Sequence, residues 1–134
     1  MHQPINGIIP VMLTPFTAQG SVDWDGLDRL TAWYIAQGAD ALFAVCQSSE
    51  MQKLTLEERV QIARRVHQKA AGRVPVIASG HVSDDLQAQL DELLAVAESG
   101  VDGLVLVTNR LDAKKQGADV WRQDLDWLLE RLPA

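Results

Sequence analysis

The sequence predicts an α/β protein with a parallel sheet, and three observations carry that prediction. Four short apolar runs alternate with four longer stretches of helical period. Each run is apolar on consecutive residues, the pattern of strands covered on both faces. The chain also repeats itself: Gly38-Ala39-Asp40-Ala41-Leu42 returns 62 residues later as Gly100-Val101-Asp102-Gly103-Leu104. That offset is two units of about 31 residues, the size of a strand–helix repeat.

The elements follow in order. The first run, Ile8–Leu13, precedes Trp24, Leu27, Leu30 and Tyr34, which step by three or four and make one apolar helix face. The second run, Ala41–Val45, precedes Leu56, Val60, Ala63, Val66 and Ala70; Thr55 and Glu58 form a capping-box pattern at the start of that helix. The third, Val74–Ala78, leads to Leu86, Leu90, Leu93 and Ala97. Ser83 is the expected N-cap there, with Asp84 and Asp85 placing negative charge toward the helix N-terminus. The fourth, Gly103–Val107, leads to Trp121, Leu125, Leu128 and Leu132. Gly38, Gly72 and Gly100 stand where the first three helices should stop.

Composition narrows the class. The chain has 134 residues, 47% hydrophobic and 22% charged, a globular balance. Twelve Lys and Arg against 18 Asp and Glu give a net charge of −6, which argues against a nucleic-acid or anionic-membrane surface. No apolar run is long enough to span a bilayer, and the N-terminus lacks the basic region of a secretion signal. The single cysteine, Cys46, fits a reducing compartment. The expectation is a soluble cytoplasmic protein of one domain, residues 1–134, without linker or low-complexity segment. Two architectures accommodate four units: a small doubly wound sheet, or half of a (β/α)₈ barrel, which needs about 250 residues. Periodicity leaves both open.

In either architecture ligands bind at the carboxyl ends of the strands. The residues there are Thr14-Pro15-Phe16, Cys46-Gln47-Ser48-Ser49-Glu50, Ser79-Gly80-His81 and Thr108-Asn109-Arg110. No glycine-rich phosphate loop occurs, no metal-ligand spacing, and no cofactor signature. Cys46 reads as a small buried hydrophobe rather than a nucleophile. His81 reads as a loop histidine, since no partner is identifiable. His67 serves the dipole at its helix C-terminus, and Trp121 packs in the core. Ser48 and Ser49 admit two readings: hydroxyls and N–H groups that hold a carboxylate, or a plain turn capping the next helix.

At these positions the sequence resembles the dihydrodipicolinate synthase / N-acetylneuraminate lyase family of pyruvate-handling class I aldolases. The matching stretches are 7–16, 37–42, 48–59, 73–80 and 97–103, with Gly20 and Val22-Asp23, in order over about residues 5 to 131. The resemblance implies a (β/α)₈ TIM barrel of which this chain holds the first four β/α units. It implies homo-oligomers, a small 2-keto acid substrate such as pyruvate, and a lysine Schiff base.

In the family that lysine stands on the sixth strand and a catalytic tyrosine on the fifth, so no catalytic residue is expected within this chain. Its lysines are Lys53, Lys69, Lys114 and Lys115, none inside an apolar strand. The expected substrate-binding set is Ser48, with Ser49 and Gln47 beside it. The family pattern there is Gly-Thr-Thr-Gly-Glu or Gly-Ser-Thr-Gly-Glu. Ser48 keeps the second hydroxyl, which helps bind the keto-acid carboxylate. Gln47 replaces the first, which relays protons, and an amide has no readily titratable proton. Thr108 is followed by Asn109-Arg110, with no tyrosine. The chain is thus expected to be a divergent member, inactive alone. The alternative is a non-catalytic half-barrel module that self-associates or is completed by a second polypeptide.

Overall fold

A computed structural model describes residues 4–133. Its elements are α1 (Trp24–Ala36), β1 (Leu42–Phe43), α2 (Leu56–Ala70), β2 (Val76–Ala78), α3 (Leu86–Ala97), β3 (Gly103–Leu104) and α4 (Ala118–Leu129). Single 3₁₀ turns occupy Gln47–Ser49, Met51–Lys53 and Thr108–Arg110.

The four helices fall where the apolar faces predicted them, but the strands are shorter than the apolar runs. Ile8–Leu13 forms no regular strand. It lies parallel to β1 through a single rung between Val11 and Phe43. Asp40 N–H donates to Ile8 O at 2.9 Å, Phe43 N–H to Pro10 O at 3.1 Å, and Met12 N–H to Phe43 O at 2.9 Å. Proline supplies no N–H, so Pro10 and Pro75 break the ladder into short regular pieces. Single bonds extend those pieces: Ala44 N–H to Ile77 O at 2.8 Å, Val105 N–H to Ala78 O at 2.9 Å.

β1, β2 and β3 are adjacent and parallel, with Leu42 opposite Val76 and Ile77 opposite Gly103. With the first segment beside β1, the order along the sheet is the order along the chain. A doubly wound sheet would place the first strand inside, so this order selects the half barrel. α1 packs on α2 and α2 on α3, which puts consecutive helices side by side on one face. Asp28 on α1 accepts from Nε and Nη2 of Arg65 on α2, both at 2.9 Å. Leu42, Val76 and Ala78 are fully buried among Leu27, Ile62, Ala63 and Val66. A second cluster, Leu90, Leu93, Leu111 and Leu128 with Trp121 against it, joins α3 to α4. The alternate residues Val11, Phe43 and Ile77 line the concave face and are only partly covered.

The expected caps are mostly present. Thr55 Oγ1 accepts from Glu58 N–H at 3.1 Å, and Glu58 Oε2 accepts from Thr55 N–H at 2.8 Å. Gly38, Gly72 and Gly100 follow their helices at φ 88°, 73° and 96°. Ser83 is a correction: Asp85 caps α3, accepting from Ala88 N–H at 2.9 Å. Ser83 turns inward instead, where its N–H and hydroxyl both donate to Glu92.

Candidate functional site

The parallel strands bring all four polar strand ends to one rim, and hydrogen bonds tie them together. Thr14 Oγ1 donates to Ser49 O at 2.7 Å, joining the first end to the second. Gln47 Nε2 donates to Asn109 Oδ1 at 3.4 Å, joining the second to the fourth. Gln89 Nε2 donates to Arg110 O at 3.2 Å, and Trp121 Nε1 to Thr108 O at 2.9 Å, fixing the fourth to α3 and α4.

The three predicted substrate residues share the 3₁₀ turn Gln47–Ser49 but differ in exposure. Ser49 is fully buried. Its hydroxyl donates to Met12 O at 2.6 Å and accepts from Cys46 N–H at 3.2 Å. That hydroxyl is committed to the turn. Ser48 and Gln47 face solvent at the rim, so the free hydroxyl of the pair is that of Ser48. Glu50 closes the turn at φ 60°. Cys46 is buried, as expected of a small hydrophobe.

His81 stands in the loop after β2, as expected, but it is fully buried and has partners that the sequence did not identify. Its Nε2 accepts from Val107 N–H at 2.7 Å, and Nδ1 lies 2.9 Å from Gln89 Oε1. A ring nitrogen that accepts an amide proton is unprotonated, so the proton belongs on Nδ1. Burial lowers its pKa, against the Gln89 bond and the Glu92 charge, which raise it. His81 is thus a neutral tie between the third and fourth strand ends.

Beside it lies a buried ion pair that the helix pattern alone did not reveal. Arg59 on α2 donates through Nη1 to Gly80 O and, at 3.2 Å, to Glu92 Oε1 on α3. Glu92 also accepts from Val82 N–H at 2.8 Å, Ser83 N–H at 3.2 Å and Ser83 Oγ at 3.1 Å. Burial raises the Glu92 pKa, but the Val82 and Ser83 bonds and the Arg59 charge outweigh it and hold the carboxyl below its ordinary value. The available signal was Arg59's place in the buried stripe of Ile62, Ala63 and Val66. Among the described residues, no group of three His, Cys, Asp or Glu stands together to hold a metal ion. No helix there is long and apolar enough to cross a membrane.

Strand order, helices on one face and a polar rim at the strand carboxyl ends define half of a (β/α)₈-barrel protein. Sequence comparison carries this further. The profile of the dihydrodipicolinate synthetase family matches residues 4–114, and the chain belongs to that family. The 4-hydroxy-tetrahydrodipicolinate synthase of Pseudomonas aeruginosa is 38% identical over 105 residues, covering 78% of this chain and 35% of that enzyme. The corresponding enzyme of Saccharophagus degradans is 34% identical over 103 residues. The chain thus spans about a third of the length of these curated relatives. Among solved structures, the chloride-inhibited dihydrodipicolinate synthase of Acinetobacter baumannii complexed with pyruvate superposes at TM-score 0.85. It is 27% identical, covering 96% of this chain and 43% of that one. YagE, a prophage protein of the same family from E. coli K12 in complex with pyruvate, superposes at 0.68 with 30% identity, covering 85% and 41%.

Proposed function

We propose that this chain forms the N-terminal half, residues 1–134, of a lyase or aldolase that acts on pyruvate or another 2-keto acid through a lysine Schiff base. The exposed Ser48 hydroxyl at the barrel rim, in a family with pyruvate-bound members, is the observation that carries the reading. Ser48 would receive the keto-acid carboxylate by charge-assisted hydrogen bonds, with Gln47 beside it and Ser49 holding the turn from beneath.

The Schiff-base amine would come from the other half of the barrel. Such a lysine needs a desolvated or cationic setting that supplies free amine near neutral pH. Lys53, Lys69, Lys114 and Lys115 all stand in solvent, and Lys53 pairs with Glu50 at 3.4 Å. The chain alone is accordingly inactive.

Borohydride reduction in the presence of pyruvate, read by mass spectrometry, tests this. The chain alone should gain no adduct. Joined to the C-terminal half of the Pseudomonas aeruginosa synthase, it should gain one on the donated lysine, and Ser48→Ala should raise the pyruvate needed about tenfold. An adduct on any of the chain's own four lysines, or trapping indifferent to Ser48→Ala, overturns the reading.

A further inference from the structure

Beyond β2 and β3 the ladder between the third and fourth strand ends passes from backbone to side chain. Val105 N–H donates to Ala78 O at 2.9 Å. In a parallel ladder the next bond on that side falls two residues on, from Val107 N–H to Gly80 O. Gly80 O is instead taken by Nη1 of Arg59. His81 Nε2 receives the Val107 proton in its place, at 2.7 Å. The last rung is therefore a titratable ring.

That rung is one end of a longer bridge. His81 Nδ1 donates to Gln89 Oε1 at 2.9 Å, and Gln89 Nε2 donates to Arg110 O at 3.2 Å. The ring and the amide, 0% and 1% exposed, thus hold both ends of the Thr108–Arg110 turn, at Val107 N–H and at Arg110 O. Between those ends stands Asn109, whose Oδ1 accepts from Gln47 Nε2 at 3.4 Å, beside the exposed Ser48. The bridge runs in one direction only, because each end of the Gln89 amide has one role, and it requires a neutral His81 with its proton on Nδ1.

Three charged groups face the ring: Glu92 of α3, Arg59 of α2 and Arg110 of the turn. Glu92 is paired with Arg59 at 3.2 Å, and Arg110 with the exposed Asp84 at 3.4 Å. A second proton on the ring must go to Nε2, where it would set one N–H against another and break the bond to Val107.

We propose that His81 and Gln89 are positioning residues for the substrate turn: proton uptake by His81 releases Thr108–Arg110, draws Asn109 off Gln47 and weakens the hold on a carboxylate at Ser48. The release stands on the bridge alone, and its effect on the ligand rests on the keto-acid reading.

NMR of the ¹⁵N-labelled chain, titrated from pH 8 to 5, reads the release. The Val107 backbone amide and the Asn109 and Gln47 side-chain amides should shift with the His81 ring in one transition below pH 6.5. His81→Gln, whose amide accepts from Val107 but takes up no proton, should leave all three flat. Gln89→Glu sets a carboxylate against Nδ1–H, which favours the imidazolium, and should move the transition to higher pH. Amides that stay flat while His81 titrates overturn the proposal, as does a transition that persists in His81→Gln. So does a ring that takes up no proton before the fold melts. In the barrel completed by the Pseudomonas aeruginosa half, the pyruvate needed for half-maximal trapping, taken relative to His81→Gln, should rise about fivefold across the transition, the effect of about one lost hydrogen bond. A ratio that does not change with pH overturns the effect on the ligand. A barrel that traps no pyruvate at all defeats the keto-acid reading, while the amide transitions still decide the release, so the two fail separately.

Discussion

Asp40 and Asp102, 62 residues apart, hold the backbones of Ile8 and Val76 by the same two-point clamp. Each sits in the loop between a helix and the strand it leads into. Each satisfies the first donor and acceptor of the strand one unit earlier, which would otherwise end in open solvent.

The clamp should be worth measuring. Hydrogen bonds to a charged acceptor contribute about 1.5–3 kcal/mol; both aspartates are exposed, so about 1 kcal/mol is expected from each of Asp40→Ala and Asp102→Ala. The pair should add, because they share no partner. Gly7→Ala should cost more, on the order of 1–3 kcal/mol. Its φ is 97°, and a Cβ there would collide with the Asp40 carboxylate. Urea midpoints at constant m-value are the readout.

Ser48 and Ser49 should separate cleanly. Ser49→Ala leaves Met12 O and Cys46 N–H without their buried partner, costing about 1–3 kcal/mol. Ser48→Ala should leave the urea midpoint unchanged and act only on ligand affinity. Equal destabilisation by both would remove Ser48 from the binding site.

Breaking the buried pair should be the most damaging single change. With side chains only 5% and 9% exposed, removing either Arg59 or Glu92 strands the other charge, at about 3–5 kcal/mol. Glu92→Ala should therefore fold poorly at 37 °C, and Arg59→Met with Glu92→Leu should recover part of the loss in thermal melts.

Acid should weaken the fold in two stages. The folded pKa of His81 is lowered, so the unfolded chain takes up its proton first. That contribution is full above the ordinary value of 6.5 and is lost as pH falls below it. The Glu92 pKa is lowered too, so its contribution is full above 4.5 and fades below. Urea midpoints recorded from pH 8 to 4 should fall first near neutrality. His81→Gln should flatten that upper limb and leave the lower one.

Much of this arrangement is legible in the residues. Helix starts and stops follow local rules, so Thr55 with Glu58, and the glycines after α1 to α3, read directly from sequence. The polar rim follows from the runs, which leave the strand order open; that order is implied by the family resemblance. Other features did not read out because they depend on partners elsewhere along the chain, the Arg59–Glu92 pair among them. Ser83 has an N-cap's chemistry, but Glu92 nine residues on competes for it. His81 finds Val107 26 residues away. Ser48 and Ser49 are alike in type, and only Met12, 37 residues earlier, decides which one is spent on the turn.

The paired clamps also divide the molecule mechanically. Carboxylate clamps pin the first segment to β1 and β2 to β3, whereas within the sheet the line between Phe43 and Ile77 has ladder bonds and no such clamp; the Gln47–Asn109 bond and the Arg59 bonds to Glu92 and Gly80 O span it from outside the sheet. Under partial denaturation the sheet should part along that line into two cooperative halves. Amide exchange would then show Asp102 and Val76 opening together, and Asp40 and Ile8 opening as a separate group.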